Sequence, residues 1–131
     1  MTGKGDTVGR AEKFEDVIAW QKARVLTRAV YEATQRGTFA RDWGLTSQMQ
    51  RAAVSVMSNI AEGFERGTPK EYLYFLSVAK ASCAEVRSHL YVALDIGYID
   101  QPTFVALLER SDEIARMLSG LRTAIQRAQA G

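Results

Sequence analysis

Trp20, Arg24, Thr27, Arg28 and Tyr31 recur every three or four residues, so on a helix they share one outward strip. Guanidinium groups grip phosphate through planar, paired N–H bonds, and aromatic rings set between them stack on unpaired bases. That mixture points to nucleic acid with exposed bases. The plainer reading is a subunit contact, or arginine lying over a ring on a solvated face. Lys80 and Arg87, seven residues apart with Tyr91 one turn further, line the outer side of a later helix; a solvated face explains them, and they form a secondary candidate for phosphate contact. Ser55, Asn59 and Glu62 fall at i, i+4 and i+7, within reach of Arg51 or Arg66. They read as a hydrogen-bonded polar network between helices or subunits, in which a buried Glu62 would need a cationic or amide partner.

Catalytic arrangements are poorly supplied. Glu85 and His89 are spaced as half of a helical metal site, but the chain has one histidine. Carboxylate-bridged di-iron bundles need the Glu-x-x-His pair twice, with further glutamates. The arginine that helical ribonucleases of the HEPN class place ahead of their histidine is missing, because Cys83, Ala84 and Glu85 stand there. Cys83 falls on an apolar stripe and reads as a small buried hydrophobe, not a nucleophile. Gly3 and Gly5 lie in a polar terminus with no strand ahead of them, so no phosphate-cradling loop is formed. The expectation is a protein that is not an enzyme and holds neither metal nor cofactor.

The elements that carry these residues are helical. In 131 residues, 47% are hydrophobic and 24% charged, which suits one globular domain. The single cysteine rules out an internal disulfide. No apolar run approaches the roughly 20 residues that span a bilayer. The polar first residues lack a signal-peptide core, so a cytoplasmic protein is expected. Net charge is +2, with twelve arginines among 17 basic residues spread along the chain. A dedicated duplex-DNA binder concentrates more positive charge than this.

Residues 1–13 read as a flexible tail, and residues 14–131 as one domain. Apolar residues at helical spacing predict helices over 17–36, 45–64 and 69–96, and a fourth from 100 toward the C-terminus. The first stripe takes in Ile18, Val25, Leu26, Ala29, Val30 and Ala33. Gly37, Gly67 and Gly97 end the first three helices, while Thr68, Pro69 and Glu71 mark a capped start. Four amphipathic helices with short connections make an all-α, up-down four-helix bundle the expected architecture. On the third helix, Tyr74, Val78, Ala81 and Val92 gather opposite the main apolar stripe, with Glu85 among them. Apolar material on two opposed sides of a helix predicts that a second copy of the chain covers the outer one; the plainer reading is a few small apolar residues left exposed.

Several strings also carry a resemblance. Phe14-Glu15-Asp16-Val17, Trp20-Gln21-Lys22-Ala23, Gly44-Leu45-Thr46-Ser47-Gln48 and Arg51-Ala52-Ala53-Val54-Ser55 come in order. Ser58-Asn59-Ile60-Ala61-Glu62-Gly63 follows, then Lys70-Glu71, Phe75-Leu76, Ala84-Glu85 and Gly97-Tyr98-Ile99. Over residues 14–125 the chain resembles the four-helix-bundle proteins encoded in intervening sequences of bacterial 23S ribosomal RNA genes. The resemblance implies a left-handed up-down bundle that assembles into a ring-shaped homopentamer. It also implies kinship with the accessory subunit of diversity-generating retroelements, which partners a reverse transcriptase and binds nucleic acid. An RNA- or nucleoprotein-binding adaptor is therefore expected, with a protein-interaction scaffold that never touches nucleic acid as the alternative. The family resembled has no established biochemical activity. Relatives typically carry proline where this chain has Met57, so a straighter second helix is expected here.

Overall fold

The structure is a computed structural model that describes residues 11–131. Most of the expected tail, residues 1–10, lies outside the described residues. The backbone just after them is held, because the amides of Glu12 and Lys13 donate to Asp16 Oδ2 at 3.2 and 3.3 Å.

A 3-10 turn, Phe14–Asp16, leads into α1 (Ile18–Thr34), and a second, Gly37–Arg41, joins α1 to α2 (Trp43–Arg66). α3 (Pro69–Ile96) and α4 (Gln101–Ala130) complete the described chain, which contains no strand. None of these helices is long and apolar enough to cross a membrane. Each start has a chemical cause. Side-chain oxygens of Asp42, Thr68 and Asp100 accept the amides of Leu45, Glu71 and Thr103 at 3.0, 3.2 and 2.9 Å, binding N–H groups that no helical carbonyl reaches. Proline stands in the first turn of α3 and of α4, where it sacrifices no helical bond. Gly67 and Gly97 end α2 and α3 with φ of +86° and +87°, a left-handed conformation that side chains resist.

Each helix packs on the next in the chain, and α4 returns to α1, which closes a four-helix bundle. The two residues between α2 and α3 leave no room for anything but an antiparallel turn. Leu26, Val30, Met49, Ile60, Leu76, Leu90, Ile114 and Leu118 are wholly or almost wholly buried along the axis. Each contributes about 1.5–3 kcal/mol relative to exposure. Val25 departs from the expected stripe and is 48% exposed, because the core side of α1 is lined instead by Ala19, Ala23, Leu26 and Val30.

The connection between α1 and α2 also departs from expectation. Residues 37–41 are not a bare helix break; the turn there buries Phe39, which stacks on Tyr98 beyond α3 with ring centroids 4.8 Å apart. α2 runs unbroken through Met57. Opposite it, the Thr27 hydroxyl lies 2.8 Å from the Ala23 carbonyl, 3.1 Å from the Ala53 carbonyl and 3.5 Å from Met57 Sδ. With one proton it serves one of the three acceptors at a time.

Candidate nucleic-acid interface

α1 presents Arg24, Arg28 and Tyr31 to solvent. The strip is narrower than the spacing suggests, because Thr27 turns into the α1–α2 seam to reach Ala53. Trp20 is half-buried: its ring meets Phe14 edge-on at 5.2 Å, and the Arg24 guanidinium sits 6.0 Å from its centroid. Trp20 therefore supports Arg24 and packs against the core, and its ring is not free to stack. Arg28 is shared with Glu32, one turn on, at 3.4 Å. An exposed pair of that kind is weak and exchanges readily for phosphate.

The second candidate divides by burial. Lys80 is exposed, whereas Arg87 is half-buried, with one terminal guanidinium nitrogen enclosed and lacking a hydrogen-bond partner among the described residues. Tyr91 lies edge-on to Phe104 of α4 at 4.9 Å, so it closes the α3–α4 seam. On the outer side of α3, Tyr74 is 62% and Val92 41% exposed, Ala81 is exposed and Val78 half-buried.

The polar residues of α2 separate into two groups. Ser55 and Ser82 share a hydrogen bond of 2.8 Å between α2 and α3, and Asn59 Nδ2 donates to the Ser55 carbonyl and hydroxyl at 2.8 and 2.9 Å. Glu62 takes no part in that group. It is exposed and pairs with Arg66 at 2.8 Å, while Arg66 also reaches Glu71 at 3.1 Å and lies over the Phe75 ring at 4.9 Å. Glu71 in turn accepts the Thr68 hydroxyl at 2.9 Å, so these charges staple the α2–α3 corner. The Glu62 carboxylate raises the affinity of Arg66 for its proton. Arg51 joins neither group; it shares a groove of about 280 Å³ with Gln48, Ser55, Glu85 and His89. His89 Nδ1 is buried there without a hydrogen-bond partner among the described residues.

Cys83 is fully buried, and desolvation pushes its thiol up to about 11, so it stays protonated near neutrality. Its carbonyl accepts the buried Ser111 hydroxyl at 3.0 Å. Among the described residues no three of the His, Cys, Asp and Glu side chains come together as metal ligands would.

Hydropathy spacing passes over four residues that the structure singles out. Phe39 and Tyr98 lie in short connections, outside any stripe. Asp42 caps α2 through Oδ1 and accepts the Tyr98 hydroxyl on Oδ2 at 2.9 Å; the legible signal was an acidic residue just ahead of a helix. Trp43, the first residue of α2, is 82% exposed.

A solved structure with this architecture is a protein of unknown function from the S23 ribosomal protein family of Bacteroides thetaiotaomicron. It superposes with a TM-score of 0.73 at 17% identity, covering 79% of this chain and 97% of that one, which establishes a shared fold. No curated protein matches the sequence. Residues 15–120 match the 23S rRNA-intervening sequence protein family, a span that runs from the turn ahead of α1 to Gly120, beyond the last fully buried leucine of α4. It takes in the α1 strip, both polar groups of α2 and the whole of α3, and by that match the chain belongs to the 23S rRNA-intervening sequence protein family.

Proposed function

We propose that this chain is a non-enzymatic, self-associating helical bundle that acts in the cytoplasm as an adaptor for RNA or a ribonucleoprotein. The observation that carries the RNA reading is the exposed pair Arg24 and Arg28, one turn apart on α1, with Arg24 held over Trp20. Self-association is supported by the outer face of α3, where Tyr74 and Val92 stand exposed opposite the core. Five copies in a left-handed-bundle ring would repeat the arginine pair around the assembly, so that weak contacts combine through effective concentration. Affinity would come from displaced counterions, with little discrimination between sequences. The enclosed, protonated Cys83 thiol agrees with a binding role in preference to a thiol enzyme.

Retention on RNA as a function of salt is the test. The natural chain should bind at low salt and elute at moderate salt. Replacing Arg24 and Arg28 with alanine should weaken binding and flatten the slope of log K against log salt by roughly 0.7 for each single-strand phosphate lost. Unchanged affinity removes this face from the interface. Absence of retention even at low salt leaves the scaffold reading, in which the α3 face serves protein contacts alone.

A further inference from the structure

The chain has two tryptophans, and the fold uses only one of them. Trp20 is packed against Phe14 and the core and is covered by Arg24. Trp43 is 82% exposed and meets no other ring among the described residues. Nothing in the helix start requires an indole, because Asp42 supplies the cap whatever follows it. Its seat is nevertheless fixed. Asp42 donates its amide to the Phe39 carbonyl at 3.0 Å, binds the Leu45 amide and the Tyr98 hydroxyl, and accepts the Thr46 amide at 2.9 Å. A large planar ring is thus held in water on an ordered backbone.

Two arginines stand close to it in sequence. Arg36 precedes the turn that leads to Trp43 and Arg41 is its last residue; both are exposed, and neither has an ion-pair partner among the described residues. The nearest carboxylate in sequence, Asp42, has both oxygens engaged. We propose that Trp43 stacks on one unpaired nucleobase while Arg36 and Arg41 hold the adjoining phosphates, making this end of the bundle a contact for single-stranded RNA. The proposal deepens the RNA-binding reading and rests on it.

Charge complementarity selects this occupant. Unpaired guanidinium groups fit an anionic, phosphate-bearing ligand and carry a desolvation cost against an apolar surface. A tryptophan that anchors a protein interface sits at the centre of a close-packed patch, whereas Thr38, Ala40, Gly44 and Ser47, the near neighbours of Trp43 in sequence, are small or polar. A base offers one flat face to one ring and needs no such surround. Bases inside a duplex are already stacked, so the site selects single strands.

The test uses the full chain and fluorophore-labelled RNA, with affinities read by anisotropy for a short oligouridylate and for a matched duplex. Trp43→Ala should weaken oligouridylate binding about tenfold, within the range for one base–aromatic stack, and leave duplex binding unchanged. Trp43→Phe should recover part of the loss. In a Trp20→Phe chain, where Trp43 is the only tryptophan, oligouridylate should quench the tryptophan emission. Undiminished oligouridylate affinity in Trp43→Ala overturns this proposal alone, provided that the Arg24/Arg28 double variant still loses affinity for both RNAs. Lack of RNA binding by the natural chain overturns both readings. A blue shift of Trp43 emission that grows with protein concentration, without RNA, places a second copy on the ring and overturns the proposal.

Discussion

Gly63 closes the Ser58–Gly63 string, and its neighbours explain why a side chain is excluded there. A Cβ at this position would lie 2.8 Å from Phe75 Cβ and 3.0 Å from the Tyr72 ring. Phe75 Cβ is anchored to its backbone and has no rotamer that withdraws it. Gly63→Ala gains about 1 kcal/mol of helix propensity but forces apart the α2–α3 contact, and overpacking costs about 1–3 kcal/mol. The expected result is a lower urea midpoint. Gly120 is the matched control: a Cβ added there would meet no other element of the described residues within 4 Å, so Gly120→Ala should stabilise the fold by about 0.5–1 kcal/mol and raise the midpoint. Equal shifts in the two variants would show that the close approach at Gly63 is not what constrains it. Three more residues of the string make contacts within the bundle. Asn59 bonds back to Ser55, Ile60 fills the core, and Glu62 pairs with Arg66 at the corner. The identity of these residues was legible in the sequence; their division into two separate groups was not, because spacing places side chains on a face without saying which partner crosses from α3.

At the scale of the element, α2 is continuous through Met57, and the Thr27 hydroxyl stands 3.1 Å from the Ala53 carbonyl. Ala53 is four residues before position 57, so its carbonyl is the acceptor that a proline there would strip of its helical donor. Thr27 can turn its proton to that carbonyl and recover part of the loss. Met57→Pro should therefore cost less than the roughly 3 kcal/mol of an ordinary helix interior. In a Thr27→Val chain the same substitution should cost visibly more. A double-mutant cycle by urea denaturation measures the difference, and additive costs would show that Thr27 does not rescue the helix.

For the whole molecule, one end of the bundle is tied by a contact between its two connections. Phe39 stacks on Tyr98, and the Tyr98 hydroxyl donates to Asp42. The Leu45 amide, followed by the Tyr98 hydroxyl, holds the Asp42 carboxyl below its ordinary range; Thr103 does the same for Asp100 at the start of α4. A carboxyl whose folded pKa lies below its unfolded value of about 3.9 adds stability that is complete above that pH. The contribution disappears as pH falls through the folded value. The urea midpoint should therefore drop as the solution is acidified below pH of about 4, and Asp42→Asn should make the drop shallower. An unaltered acid limb in Asp42→Asn would place the acid-labile groups elsewhere. Tyr98→Phe should lower the midpoint at neutral pH, since it leaves the stack but removes the hydroxyl.

Sequence alone determined the helices and most of their ends, because apolar spacing, caps and left-handed glycines act over a few residues and need no tertiary partner. It also determined which residues lie on the outside of each helix to within a face. Only the tertiary structure decided which exposed groups are free. Trp20 and Thr27 share a helical strip with Arg24 and Arg28, yet both are claimed by neighbouring elements, while Trp43, outside every stripe, is left open. Periodicity records the angle of a side chain about its own axis. Whether anything covers it depends on where the other helices and their connections come to rest.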